Sequence, residues 1–325
     1  MEQKTDAPTF ESVRATCDRI TAEIERAIIG KTDVIANVLV AFLAGGHILF
    51  EDLPGLGKTV AAKSLATALG LSFKRIQFTP DLLPGDITGG YVYNRKDETF
   101  VLRKGPIFAH FLLADEINRA SPRTQSALLE AMQERHVTIE GETIDLPSPF
   151  TVVATQNPIE YEGTFPLPEA QLDRFMVRLS VGYPSADAEQ EILRRRRERK
   201  TADVTIHASV GEDEIHAMRA AIEEIHIAEQ IERYIVAIVD ATRRDRRVAV
   251  GASPRGALAL QDLARANAAV DGRDFVIPDD VKKFAVPALA HRLVLVPDLW
   301  TERAAAADVV KSVVDATPVP VVETT

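Results

Sequence analysis

A single cysteine, Cys17, stands among 325 residues, which rules out an internal disulfide and suits a reducing compartment. The seven histidines are scattered, no two of them at helical ligand spacing, so a histidine-based metal site is not expected. The N-terminus is polar and partly acidic, without the apolar core of a signal peptide. The longest apolar run, Val38 to Phe50, is broken by Gly45-Gly46-His47 and is too short to span a bilayer. A cytoplasmic protein with no membrane insertion is therefore expected. Positive charge is in deficit, 38 Lys and Arg against 48 Asp and Glu, giving a net charge of −10. That balance argues against a dedicated nucleic-acid binder, though not against a local basic patch. No internal repeat and no low-complexity block is found. What remains is globular: 46% hydrophobic, 26% charged, and long enough for more than one ordinary domain.

The most informative segment is Glu51-Asp52-Leu53-Pro54-Gly55-Leu56-Gly57-Lys58-Thr59. It follows a strand-like run, His47 to Phe50, and precedes a helix-like run, Val60 to Leu69. That is the layout of a phosphate-binding loop. Gly55 and Gly57 let the backbone curl so that several N–H groups point inward, where a side chain would block phosphate oxygens. The following helix presents its electropositive N-terminus to the same oxygens. Lys58 is placed to reach β- and γ-phosphates, and the Thr59 hydroxyl to ligate Mg²⁺. The nucleotide-binding residues read from this loop are Pro54, Gly55, Leu56, Gly57, Lys58, Thr59 and Val60. The generic pattern opens with glycine, and here that position is Asp52.

A second constellation completes the site. Phe108 to Ala114 is apolar except for His110 and runs into Asp115-Glu116. A buried parallel strand has this pattern, and open α/β sheets place ligands at the C-terminal ends of such strands. Asp115 would hold Mg²⁺, and Glu116 would act as general base on the attacking water. An acidic first helical turn also accommodates Asp-Glu, but a phosphate-loop lysine upstream speaks against that alternative. No Asn-Lys-X-Asp guanine-reading motif occurs, so ATP is the expected nucleotide.

Residues 1–9 read as a frayed tail. Phe10, Val13, Cys17, Ile20, Ile24 and Ile28 recur at three and four, an amphipathic helix leading to Gly30. Strand-like segments at 47–51, 73–78, 110–115, 150–156 and 176–181 alternate with helical ones, implying a doubly wound parallel sheet. Ser121 and Pro122 punctuate the start of a helix from Arg123 to Arg135. Beyond Tyr183-Pro184 helical periods dominate, at 187–200, 212–225, 229–245, 255–270 and 279–291. The expected division is a nucleotide-binding domain over 10–183, a helical domain over 184–316 and a tail over 317–325. Two hairpin-like inserts, 91–103 and 136–146, interrupt the first domain and would by themselves read as surface decoration.

Several strings together resemble the MoxR family of AAA+ ATPases. They are Gly45-Gly46-His47, Leu53 to Thr59, Gln77-Phe78-Thr79-Pro80-Asp81-Leu82-Leu83-Pro84 and Leu113-Ala114-Asp115-Glu116-Ile117-Asn118-Arg119-Ala120. Ala154-Thr155-Gln156-Asn157-Pro158, the run Glu162 to Phe175 and Gly251-Ala252-Ser253-Pro254-Arg255 complete the set. The resemblance covers roughly residues 10–315. It implies a P-loop AAA+ fold, a five-stranded doubly wound parallel sheet with a C-terminal all-helical lid domain, in which Asp52 is an accepted variant of the loop's first glycine.

The resemblance also implies roles. Asn157, at a strand end, resembles the sensor that orients the attacking water; an amide both donates and accepts, so it can register a γ-phosphate. Arg174 resembles the arginine finger, whose guanidinium suits charge developing on the phosphoryl group. Its sequence also admits an ion pair with a neighbour such as Asp173. Arg255 resembles the second sensor, placed to swing toward the phosphates as the lid moves. Gly30 resembles part of the adenine pocket. The inserts would face the pore of a ring, a homo-hexamer, making Tyr91, Tyr93 and Glu140-Gly141-Glu142 candidate contacts with a protein client. The family further suggests cofactor or metal insertion beside a partner bearing a von Willebrand factor A domain.

Two arginine tracts, Arg194 to Arg197 with Arg199-Lys200, and Arg243-Arg244 with Arg246-Arg247, could grip phosphates. They lie at expected helix ends, where cations favour the dipole, and no aromatic residues interleave with them. Solvated or interface charge is the preferred reading. The leading expectation is an ATP-hydrolysing remodeller of protein clients. A nucleic-acid-stimulated motor and a nucleotide-gated scaffold are the rivals, and the Asp115-Glu116 pair speaks against the scaffold.

Overall fold

A computed structural model describes residues 9–53, 55–157, 163–201, 203–299, 302 and 305–320. Two helices open the chain, α1 (Phe10–Glu25) and α2 (Thr32–Leu43), followed by β1 (Ile48–Glu51), α3 (Lys58–Ala68) and β2 (Phe73–Gln77). A short helix α4 (Pro84–Thr88) leads to the hairpin β3 (Gly89–Asn94) and β4 (Thr99–Lys104), then β5 (Phe111–Asp115) and α5 (Pro122–Glu134). A second hairpin, β6 (His136–Ile139) and β7 (Glu142–Asp145), precedes β8 (Thr151–Gln156), the single turn α6 (Glu169–Leu172) and β9 (Val177–Leu179). The remainder is α7 (Ala186–Arg199), α8 (Glu212–Glu223), α9 (Glu229–Arg244), β10 (Val248–Val250), α10 (Pro254–Val270), α11 (Pro278–Leu289), β11 (Val294–Leu295) and α12 (Ala305–Ala316).

The main sheet has the order β2-β5-β8-β1-β9, all parallel, with Ile48 opposite Val153 on one side and Val177 on the other. Its central strands are buried on both faces, so Phe111, Leu112, Leu113, Val152, Val153 and Ala154 are wholly enclosed. Each large side chain so enclosed contributes about 1.5–3 kcal/mol through burial. Parallel strands all point one way, so residues leaving β1, β5, β8 and β9 share one edge of the sheet. Residues entering those strands share the opposite edge.

Local chemistry sets the helix starts. Ser121 accepts a hydrogen bond from Thr124 N at 3.4 Å, with Pro122 in the first turn of α5; Ser185 does the same for Ala188 N at 3.3 Å in α7. α1 ends at Glu25, three residues before Ile28, which belongs to the turn at Gly30 rather than to the helix. α2 is the element the pattern concealed: its second half, Val38 to Leu43, is buried and apolar on every side, and such a run shows no 3.6-residue period. The lid is helical as expected, with one short antiparallel ribbon, β10 with β11. Its apolar core is continuous with that of α1, α2 and α3, so the two opening helices sit between sheet and lid. No helix among the described residues is long and apolar enough to cross a membrane.

His47, entering β1, is a buried strut rather than a reactive group. Its Nδ1 accepts from Val152 N at 2.9 Å, which leaves Nε2 to donate to Met132 O at 3.0 Å. Burial, with Arg135 nearby, pushes its pKa down from 6.5 to about 3. The unfolded chain therefore binds a proton that the folded one refuses, and stability is lost as pH falls below about 6.5. We expect the melting temperature to drop between pH 6.5 and pH 4, and this slope to flatten in His47→Gln, as followed by circular dichroism.

Candidate active site

The loop after β1 curls through two left-handed glycines, Gly55 and Gly57, both at φ +83°. Lys58 opens α3 and is almost completely buried, its Nζ donating to the carbonyls of Asp52 at 2.8 Å and Leu53 at 3.1 Å. Burial lowers its pKa, opposed by the charges of Asp52, Asp115 and Glu116. Those carboxylates keep the ammonium charged where phosphate would need it. Thr59 follows in the first turn of α3, and Pro54 lies outside the described residues.

Asp52 has a structural reason to replace glycine. Its carboxylate accepts the Ser180 hydroxyl at 2.6 Å, the amide of Val181, and the amide of Gly182 at 3.3 Å. The start of the loop is thereby tied to the chain leaving β9, whose Val181 and Gly182 line an adjoining cavity. These donors come from the segment just after β9, about 130 positions along the chain from Asp52.

Asp115 ends β5 and Glu116 follows in a left-handed conformation at φ +56°. Thr155 organises both, its hydroxyl donating to Asp115 Oδ1 at 2.6 Å and accepting from Glu116 N at 2.8 Å. Arg75 pairs with Asp115 Oδ2 at 2.7 Å, setting positive charge against the carboxylate expected to face a metal. Gln77 donates to Glu116 Oε2 at 2.6 Å and Arg119 donates to the same oxygen at 2.9 Å. Asn157 leaves β8 on this edge and is buried. Arg75, Gln77 and Thr155 were not singled out from sequence, because their partners are cross-strand neighbours about forty positions away, as β2 pairs with β5.

Beside the loop lies a cavity of about 500 Å³ lined chiefly by apolar groups, among them Ile24, Ile28, Ile29, Val60, Tyr183 and Leu193, together with Gly55 and Gly57. Its size and apolar walls suit a purine. Gly30 turns the chain at its rim at φ +70°, and a Cβ there would meet Ala188 Cβ at 2.7 Å. Only glycine allows α7 to approach so closely.

Arg174 and Arg255 sit elsewhere. Met176 N donates to His47 O, so Arg174 lies where β9 and β1 begin, at the sheet edge opposite the phosphate loop. Four residues of strand separate the two edges, about 13 Å at ~3.3 Å per residue. Arg255 Nη2 donates to Gln133 Oε1 at 3.3 Å near the end of α5. That helix end is on the same edge, because Arg135 bonds to the carbonyls of Gly45 and Phe150, just before β1 and β8. In this arrangement Arg255 faces the edge opposite the phosphate loop of its own chain. Both arginines share one edge and their own Lys58 occupies the other.

The hairpins also meet, Tyr91 donating its hydroxyl to the Glu142 carboxylate. Tyr93 packs on Phe100 at 5.3 Å on one exposed face of the first hairpin, and Val92 and Val101 are exposed on its other face. Several arginines of the two tracts are ion-paired within the chain. Arg194 pairs with Glu191 and Glu198, Arg195 with Glu191, Arg244 with Asp240, and Arg247 with Asp245.

Comparison with known proteins agrees with this geometry. The profile of the ATPase family associated with various cellular activities matches residues 47–177, and that of the AAA lid domain matches 240–313. The Bacillus subtilis (strain 168) protein YeaC, itself uncharacterised, is 45% identical over 96% of this chain and 97% of its own. Chaperone MoxR1 of Mycobacterium tuberculosis is 44% identical over 94% of this chain and 82% of its own. The crystal structure of a protein from Cytophaga hutchinsonii, described as an ATPase, superposes with a TM-score of 0.89 at 38% identity, covering 96% and 97% of the two chains.

Proposed function

The chain belongs to the MoxR family of AAA+ ATPases and hydrolyses ATP, and on that premise we propose that hydrolysis powers the remodelling, assembly or activation of a protein client by a homo-hexameric ring. One observation carries this reading. Lys58, Asp115, Glu116 and Asn157 converge at one sheet edge, while Arg174 and Arg255 lie at the other, so a complete site needs two subunits.

Residue roles follow from position. The loop amides and Lys58 bind the phosphates, and the apolar cavity beside Ile28 and Ile29 takes the adenine. Thr59 and Asp115 offer the hard oxygen donors that Mg²⁺ prefers, and would hold it where it neutralises phosphate charge. Glu116, fixed by Gln77, Arg119 and its own amide on Thr155, accepts the proton of the attacking water. Asn157 orients that water, and the neighbour's Arg174 and Arg255 stabilise charge on the transferred phosphoryl group. The apolar side chains exposed on the two faces of the first hairpin, Tyr93 with Phe100 and Val92 with Val101, support client contact through it. A von Willebrand factor A domain partner, and metal or cofactor insertion into the client, are the finer form of this proposal.

Steady-state phosphate release tests the class of client. Single-stranded DNA should leave the rate unchanged, in keeping with Arg194, Arg195, Arg244 and Arg247 already being paired within the chain; acceleration by DNA would favour the motor reading. Lys58→Ala removes the one flexible cation aimed at the β- and γ-phosphates. It should abolish tight ATP binding in calorimetry, whereas an affinity near that of the parent would refute the assigned phosphate site.

A further inference from the structure

Three residues after the end of α11, in a 3-10 turn, Arg292 buries its guanidinium almost completely, with 3% of its side chain exposed. Burying this charge is costly unless every donor finds a partner. Here Nε pairs with Asp173 Oδ1 at 2.7 Å, and Nη2 donates to the carbonyls of Asp173 at 3.2 Å and Phe175 at 2.9 Å. Nη1 donates to the carbonyls of Met176 at 3.1 Å and Ala288. One lid guanidinium therefore grips the chain on both sides of Arg174.

The same carboxylate has a second lid partner. Ser253 Oγ donates to Asp173, lying 3.1 Å from each oxygen. Ser253 is the N-cap of α10, yet its hydroxyl makes no capping bond, unlike Ser121 and Ser185 in α5 and α7. The residue forgoes a local cap for a bond across to Asp173. Arg255 stands two positions on, and Gly256 leaves room for the Arg292 stem: a Cβ there would lie 3.3 Å from Arg292 Cδ.

We propose that Asp173, held by Arg292 and Ser253, is a positioning joint that fixes Arg174 and Arg255 as one unit, so that lid and finger are delivered together to the neighbouring subunit's nucleotide. The inference rests on the reading above that Arg174 acts in trans. Its physical basis is geometric: Arg174 adjoins Asp173 directly, Arg255 is two residues from Ser253, and a buried, fully bonded ion pair tolerates one arrangement far better than others. A movement of the lid then necessarily carries the finger with it. Nothing in the joint touches the subunit's own phosphate loop.

The test uses full-length rings. Arg292→Lys keeps the charge but loses the fork that reaches several carbonyls at once. It should still bind ATP and assemble like the parent, while kcat falls by about 10²-fold, the scale of a misplacement near 1 Å. Mixed rings then separate positioning from general damage. Arg292→Lys should recover turnover when mixed with Lys58→Ala, whose joint is intact, and should not recover with Arg174→Ala, which also lacks a working finger. Ser253→Ala, a loss of one hydroxyl, carries the same test with a smaller drop of roughly ten-fold if Arg292→Lys does not fold. Normal turnover in Ser253→Ala, or failure of these variants to recover with Lys58→Ala in rings where Arg174→Ala does, overturns the joint. Failure of Arg174→Ala itself to recover with Lys58→Ala overturns instead the trans reading on which the joint depends.

Discussion

Glu116→Gln should bind ATP about as tightly as the parent and hydrolyse it about 10²–10⁴-fold more slowly, the usual scale for a lost general base. The structure makes the substitution unusually clean. Glu116 is held from three directions, by Gln77, by Arg119 and through its own amide by Thr155. Glutamine keeps the shape and can still accept from Gln77 and Arg119, so the side chain stays in place while the charge that draws a proton from water is gone. Its backbone, left-handed at φ +56°, depends on the Thr155 contact and not on the carboxylate. Affinity by calorimetry and single-turnover hydrolysis read the two effects separately. A variant turning over at the parent rate would remove Glu116 from the mechanism. The same variant, stalled with ATP bound, holds a client engaged and makes affinity capture informative.

How much of this was legible in the sequence depends on the distance over which each residue acts. The loop from Gly55 to Thr59 and the pair Asp115-Glu116 are local signals, because curl, charge and strand end are all encoded within a few positions. The five parallel strands were legible for a related reason: buried strands read as short continuous apolar runs between helices. α2 was not, since the continuous apolar run of its buried half, Val38 to Leu43, masks the amphipathic period that marks a surface helix. Cross-strand partners were hidden as well. Thr155 reaches Asp115 across forty positions and Asp52 reaches Ser180 across 128, contacts that exist only once strand order is known. The edge on which Arg255 stands was not legible either. A motif locates a residue in the chain, but the sheet edge it occupies follows from how α10 packs on Arg292 and the entry to β9.

That separation of edges gives the last expectation, for Arg174→Ala. The variant should bind ATP normally, because Arg174 lies about 13 Å of strand away from its own phosphate loop, beyond any ground-state contact with it. Hydrolysis should fall by about 10³–10⁵-fold, the range for a guanidinium supplied in trans to a transferring phosphoryl group. Arg174→Lys should recover only part of this, since an ammonium lacks the planar fork that spans two phosphoryl oxygens. A finger lent by a neighbour also makes specific activity depend on assembly. Dilution should lower the rate per subunit in the parent protein, with the loss following ring dissociation measured by mass photometry. In Arg174→Ala the residual rate should depend less steeply on concentration, because assembly then supplies only the neighbour's Arg255. A parent rate per subunit that holds constant through dissociation would place the whole catalytic apparatus within one chain, and Arg174 outside it.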